Sequence, residues 1–380
     1  MSSLLNEERT MTQFSLNKSD ALKHDVDQLA LQKPGGYSRL LPGLALTGAI
    51  TGLAVWLSNF PSLSHLGLSA LTLAIVIGMV VGNTVYPAAR PWCDSGVTLA
   101  KQRLLRLGII LYGLRLTFAQ IADVGATGIL IDALMLCSTF ALACWLGQRV
   151  FKLDRDTSML IGAGSSICGA AAVMATEPVL DAKAEKVTVA VATVVIFGTA
   201  AIFLYPWLWH LNEQYHWLSF TASQFGIYTG STVHEVAQVV AAGQGVSPDA
   251  ENAAVIAKMI RVMMLAPFLL LLSGWKSRKE VQHGGQNGGM RNITIPWFAL
   301  LFILVAAFNS MDILPHSWIP PLITLDTVLL AMAMAALGLT THMSALRQAG
   351  LKPMLLAAIL FIWLIVGGAG INQLVHHLFG

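Results

Sequence analysis

The sequence predicts an all-α polytopic membrane protein, and three observations carry that reading. Of its 380 residues, 55% are hydrophobic and 11% charged, whereas soluble domains carry about 25% charged residues. Many apolar runs are about 20 residues long, enough to cross a hydrocarbon core of about 30 Å as helix. The runs are continuously apolar rather than alternating, which selects helices over a barrel. The net charge of +3 decides little, because orientation follows the positions of Lys and Arg.

Residues 1–38 are polar and mixed in charge and close on Lys33-Pro34-Gly35-Gly36. They read as a cytoplasmic tail before a transmembrane domain over 39–380, since a cleavable signal would place its apolar core nearer the start. Nine spans are expected, at about 41–58, 66–83, 103–120, 125–148, 184–206, 252–273, 294–310, 322–342 and 351–371. The four cysteines, Cys93, Cys137, Cys144 and Cys168, lack metal-type spacing and read as buried free thiols. Trp56, Trp207, Trp209, Trp217, Trp297 and Trp318 fit interfacial anchors.

Two more segments, about 158–177 and 222–243, carry a paired motif and are expected to re-enter or break within the membrane. Gly164-Ser165-Ser166 recurs 66 residues later as Gly230-Ser231-Thr232, and the register continues without a gap to Ala184-Glu185 against Ala250-Glu251. Charge favours hairpins over spans. With both segments returning to the side they left, the connections at 59–65, 121–124, 207–221, 244–251 and 311–321 hold no Lys or Arg. The opposite connections hold Arg149, Lys152, Arg155, Lys183, Lys186 and Lys276 among others. This topology puts the N-terminus in the cytoplasm and the C-terminus in the periplasm. A second match, Gly113-Leu114 with Gly125 against Gly338-Leu339 with Gly350, also comes out inverted. Together the two matches point to permuted inverted repeats, a transporter architecture with its site at interrupted helices.

A half-helix that begins inside the membrane offers free N–H groups and a positive dipole end to an anion. Gly164, Ser165, Ser166, Gly230, Ser231 and Thr232 are therefore expected to stand at such N-termini and bind substrate, against the alternative that they only allow tight packing. Arg261, roughly 14 Å along its span and unable to snorkel, is the expected ligand-facing cation, with Glu235 as its alternative partner. His234, Glu235 and Gln238 form a polar face suited to a coupling proton. Lys258 lies i, i+3 from Arg261; it is grouped with His234, Glu235 and Gln238 as a coupling or site-tuning residue, and is shallow enough to reach the outer interface. Arg115 and Asp132 are expected to form a structural ion pair, and Asp326 to be partly wet. HEVAQ has Gln238 where a zinc-protease motif needs its second His, so no metal site is expected. No cofactor or nucleic-acid motif is present, and no nucleophile–base pair points to an enzyme.

GSSICGAAAV, GSTVHEVAQVVAAG, KMIRVMMLAP, PWFALLFILVAAFNS and LGLTTHMSALRQAGLKP together resemble the YeiH family of bacterial inner-membrane proteins. That family is grouped with bile-acid-symporter-like transporters, and its label, sulfate exporter, is itself an inference. The resemblance runs from about residue 40 to the C-terminus. It implies a secondary transporter in the bacterial cytoplasmic membrane. The expected partners are a small anionic solute such as sulfate, a sulfonate or a carboxylate, a coupling ion (H+ or Na+), the lipid bilayer and a second copy of the chain. The contrasting reading is an anion channel or a non-transporting membrane scaffold.

Overall fold

The computed structural model describes residues 39–60, 69–282, 297–311, 315, 317–341 and 350–379. The expected cytoplasmic tail, His342 and Arg347 lie outside the described residues, as does most of the stretch from Gly338 to Gly350 used in the second match. Fifteen helices carry the described chain: α1 (Leu41–Ser58), α2 (Ala70–Thr84), α3 (Tyr86–Leu99), α4 (Leu105–Tyr112), α5 (Phe118–Trp145), α6 (Arg155–Ser166), α7 (Ala170–Leu180), α8 (Ala184–Tyr215), α9 (Ala222–Thr232), α10 (Val236–Gln244), α11 (Pro248–Met263), α12 (Leu265–Gln282), α13 (Trp297–Ser310), α14 (Ile319–Leu339) and α15 (Leu351–Phe379).

Local chemistry sets the starts. Thr117, Asp154, Thr221 and Ser247 accept from the backbone N–H three residues on and so cap α5, α6, α9 and α11. Pro248 in the first turn of α11 costs no hydrogen bond there. Six of the nine expected spans occur in helices long and apolar enough to cross a membrane: 41–58, 118–150, 184–215, 248–276, 319–339 and 351–379. The other three are shorter or interrupted. α2 has 15 residues and α13 has 14, and the stretch from α3 to α4 is broken by a π-turn at Ala100–Leu104.

Packing divides the helices into two bundles. α5–α12 and α15 form one, which holds both Gly-Ser motifs. α1–α4, α13 and α14 form the other. Within the second, small residues bring backbones together, as in other membrane interfaces. A Cβ on Gly78 of α2 would lie 3.1 Å from Gly338 Cα on α14 and 2.5 Å from Ala335 O. The bundles are tied near Pro248. Tyr112 donates to Asn252 Oδ1 at 2.9 Å, and the Phe118 N–H donates to Ser310 Oγ at 2.6 Å.

Both motif segments are helical hairpins. The first, α6–α7, has its two ends at the far end of α12. Lys276 donates to Leu180 O at 2.9 Å, and the Arg155 guanidinium stacks 4.1 Å from the Trp275 ring centre. The second, α9–α10, has both ends at the start of α11, with Gly226 and Gly243 against Ala250 and Glu251. The hairpins thus approach from opposite ends of the continuous 248–276 helix. Of the four thiols, Cys93 and Cys168 are buried as expected; Cys137 is exposed on α5 instead.

The α2–α14 contact generates a paired prediction. Gly78→Val should cost about 1–3 kcal/mol by overpacking and lower the unfolding temperature in detergent. Gly125→Ala, whose new methyl meets nothing within 4 Å, should be neutral or stabilising by up to about 1 kcal/mol.

Candidate functional site

The two hairpins break 66 residues apart in the same register. α6 ends at Ser166 and α9 at Thr232; α7 begins at Ala170 and α10 at Val236. Each motif therefore closes the entering half-helix. This corrects the expectation that Ser165, Ser166, Ser231 and Thr232 begin the second halves. The hydroxyls turn back onto their own helices: Ser231 donates to Tyr228 O at 3.0 Å, and Thr232 donates to the same carbonyl at 2.5 Å. Tyr205 of α8 donates to Thr232 Oγ1 at 2.8 Å, and Ser165 Oγ has no protein partner. Gly164 and Gly230 supply closeness, the first against Val173 and Val194, the second against Ala254 and Ala257.

The carbonyls freed at these breaks are bound by cations of α11. Lys258 is fully buried, and its three ammonium protons go to Ile167 O (2.8 Å), Val233 O (2.7 Å) and His234 O (2.6 Å). One side chain thus pins both breaks together, and the expectation that it reaches the outer interface is overturned. Arg261, also fully buried, donates through Nη1 to Ser231 O at 2.6 Å and through Nη2 to Val233 O. Its Nε has no partner. Positive charge at a helix C-terminus is favoured by the dipole, so both cations sit on the negative ends of the broken helices and neither pairs with Glu235.

The opposite, N-terminal ends receive a carboxylate. Glu235 is the N-cap of α10, in a capping box with Gln238, whose Oε1 accepts from the Glu235 N–H at 3.0 Å. Glu235 Oε1 also accepts from Ala170 N–H at 3.4 Å, the first residue of α7. Gly169 makes the contact possible. Its φ of +66° lies where side chains are strained, and a Cβ there would lie 2.5 Å from Glu235 Cγ. His234 and Gln238 are buried, but His234 lies in the break rather than on one helical face with the other two. Lys101, on the π-turn of the other bundle, adds positive charge to the surroundings of Glu235. It also donates to Thr340 Oγ1 at 3.1 Å. A π-bulge is the sequence-silent feature that marks it, since such bulges gather at functional positions.

The expected Arg115–Asp132 pair does not form. Arg115 donates to Asp326 Oδ2 (2.8 Å) and Thr327 Oγ1 (2.7 Å) and lies 4.0 Å from Glu251 Oε1. Asp326 is fully buried rather than partly wet. Asp132 is buried on α5 with both oxygens unpartnered. Asn372 of α15, which donates to Ser231 Oγ at 3.2 Å, is a site neighbour that sequence reasoning missed. A lone Asn in an apolar span is the signal that marks it.

A fold of six long apolar helices with two opposed hairpins is that of a polytopic helical membrane protein. Residues 42–357 match the family model described as Conserved hypothetical protein 698. A UPF0324 membrane protein of Yersinia pestis is 67% identical over 341 residues, covering 90% of this chain and 94% of the relative. The UPF0324 inner membrane protein YeiH of Escherichia coli K12 is 65% identical over 336 residues, covering 88% and 94%. The chain belongs to this UPF0324, or YeiH, family. No solved structure matches it.

Removing the pin tests this arrangement. Lys258→Met leaves the buried carbonyls of Ile167 and His234 without a donor, Val233 O keeping Arg261, and should cost about 3 kcal/mol or more, read as a lowered unfolding temperature in detergent. Gly169→Ala should be destabilising by at least about 1 kcal/mol through its backbone and the clash with Glu235.

Proposed function

We propose that this chain is a secondary transporter of a small oxyanion, such as sulfate, a sulfonate or a carboxylate, in the bacterial inner membrane. The observation that carries the reading is the Glu235 carboxylate on the α7 N-terminus. Free N–H groups there hold an anion, and in this conformation the anion is the protein's own. A substrate oxyanion takes the same seat between the starts of α7 and α10, displacing Glu235 toward Lys101. Lys258 and Arg261 supply positive potential from behind. The Gly-Ser residues hold the half-helices at the right spacing rather than touching substrate. The two separately packed bundles support alternating access, with hairpins moving as one body against α1–α4, α13 and α14. The Lys- and Arg-free connections lie at the periplasmic face in this scheme, which places the C-terminus there and the tail in the cytoplasm.

Calorimetry on the purified protein with a panel of sulfate, sulfonates and carboxylates tests the seat. Glu235→Gln removes the resident charge and should tighten binding of the preferred anion about tenfold, or roughly 1.4 kcal/mol. Lys101→Ala should weaken it. If no panel member binds wild type, or if Glu235→Gln binds no tighter, the seat is wrong.

A further inference from the structure

Asp132 takes no part in the anion seat, and its surroundings are unusual for a carboxylate. It is fully buried on α5, and neither oxygen has a donor among the described residues. The charges that act on it are Arg261 and Lys258, yet Lys258 spends all three protons on carbonyls of the two breaks. Arg261 spends Nη1 and Nη2 on Ser231 O and Val233 O.

The helix packing fixes what else stands there. Gly368 of α15 sits against Met135 of α5 and against Tyr228 and Thr232 of α9. α5 and α15 run in opposite directions, so one turn from this contact toward the Pro248 end the chain reaches Asp132 on α5 and Asn372 on α15. Asn372 Oδ1 has no donor, and neither Arg261 Nε nor His234 Nδ1 has a partner. Nearby are Tyr228 and Tyr205, both engaged as donors, and Cys168 at the first break, while Asp249 and Glu251 of α11, Arg155 and Asp156 of α6, and His376 and His377 of α15 lie in the end turns of the helices packed on α5. An ionised carboxylate without donors in such a place is costly, and a buried guanidinium beside it is its natural partner.

We propose that Asp132 is the proton-binding site of this protein and that its charge decides which partner Arg261 takes. Protonated, Asp132 leaves Arg261 on the carbonyls of the α9 break, as in this conformation. When Asp132 gives its proton to water, the carboxylate draws the guanidinium away from Ser231 O and Val233 O, and the break that carries His234 and Glu235 loosens. The step breaks the carboxyl O–H bond and forms an O–H bond on the accepting water, leaving the carboxylate with the electron pair. Resting on the oxyanion reading above, it makes the proton the coupling ion, with protonation favouring the anion-competent break. Asp132 then acts on the substrate through Arg261, as a positioning residue.

Infrared spectroscopy of the full-length protein in lipid vesicles, titrated from acid to alkaline pH, reads the carboxyl directly. A protonated C=O band should disappear as pH rises, be missing in Asp132→Asn and persist in Glu235→Gln. Sulfate calorimetry in buffers of different ionisation enthalpy adds the linkage. Wild type should take up a proton with the anion and lose about tenfold in affinity per pH unit once Asp132 ionises, while Asp132→Asn binds with a flat pH profile. An unchanged band or an unchanged pH slope in Asp132→Asn overturns the proton site. If Asp132→Asn does not reach the membrane, Asp132→Glu should move the band's midpoint, and an unmoved midpoint is equally fatal. An Asp132 band in a protein that binds no anion at any pH leaves the proton site standing and overturns the transport reading.

Discussion

Breaking a helix inside a membrane exposes backbone groups where no water can satisfy them, and the rest of this fold is arranged around meeting that cost twice. The carbonyl ends of α6 and α9 are met by Lys258 and Arg261, and the amide end of α7 by Glu235. Charge of each sign stands at the dipole end that favours it. The cations come from α11 and the carboxylate from the opposite hairpin, so the hairpins cannot be satisfied one at a time.

The broken segments are legible in the sequence because a break needs small residues at a fixed spacing, and the 66-residue register survives at both. Their return to the side they left is legible through loop charge. What the sequence hides is which half of each broken helix owns the motif. Gly-Ser pairs suit a helix end of either polarity, and here they close the first half. The partners of the buried charges are hidden for another reason. Arg115 and Asp132 are near in sequence, but the acid that meets Arg115 is Asp326, 211 residues away, and only the packing of α4 on α14 decides that. Of the expected Trp anchors, Trp56, Trp207, Trp217, Trp297 and Trp318 are well exposed, whereas Trp209 packs against Phe225.

The division into two bundles gives the polar residues distinct duties. Tyr112, Arg115, Glu251, Asn252 and Asp326 gather where the bundles touch near Pro248. Lys101 instead donates to Thr340 within the second bundle and adds positive charge to the surroundings of Glu235. Inside the second bundle, close glycine contacts between α2 and α14 stand beside the Arg115–Asp326 ion pair.

The shared pin at Lys258 also bears on how the chain is made. Ile167 O and the amine that satisfies it are 91 residues apart, a stretch that takes roughly 5 to 20 s to synthesise at typical rates of about 5–20 residues/s. During that interval the first hairpin has left the ribosome with its break unsatisfied, and Glu235 has not long preceded the lysine. The first hairpin must therefore wait at a wet or protein-lined margin of the bilayer, and both hairpins settle together once α11 arrives.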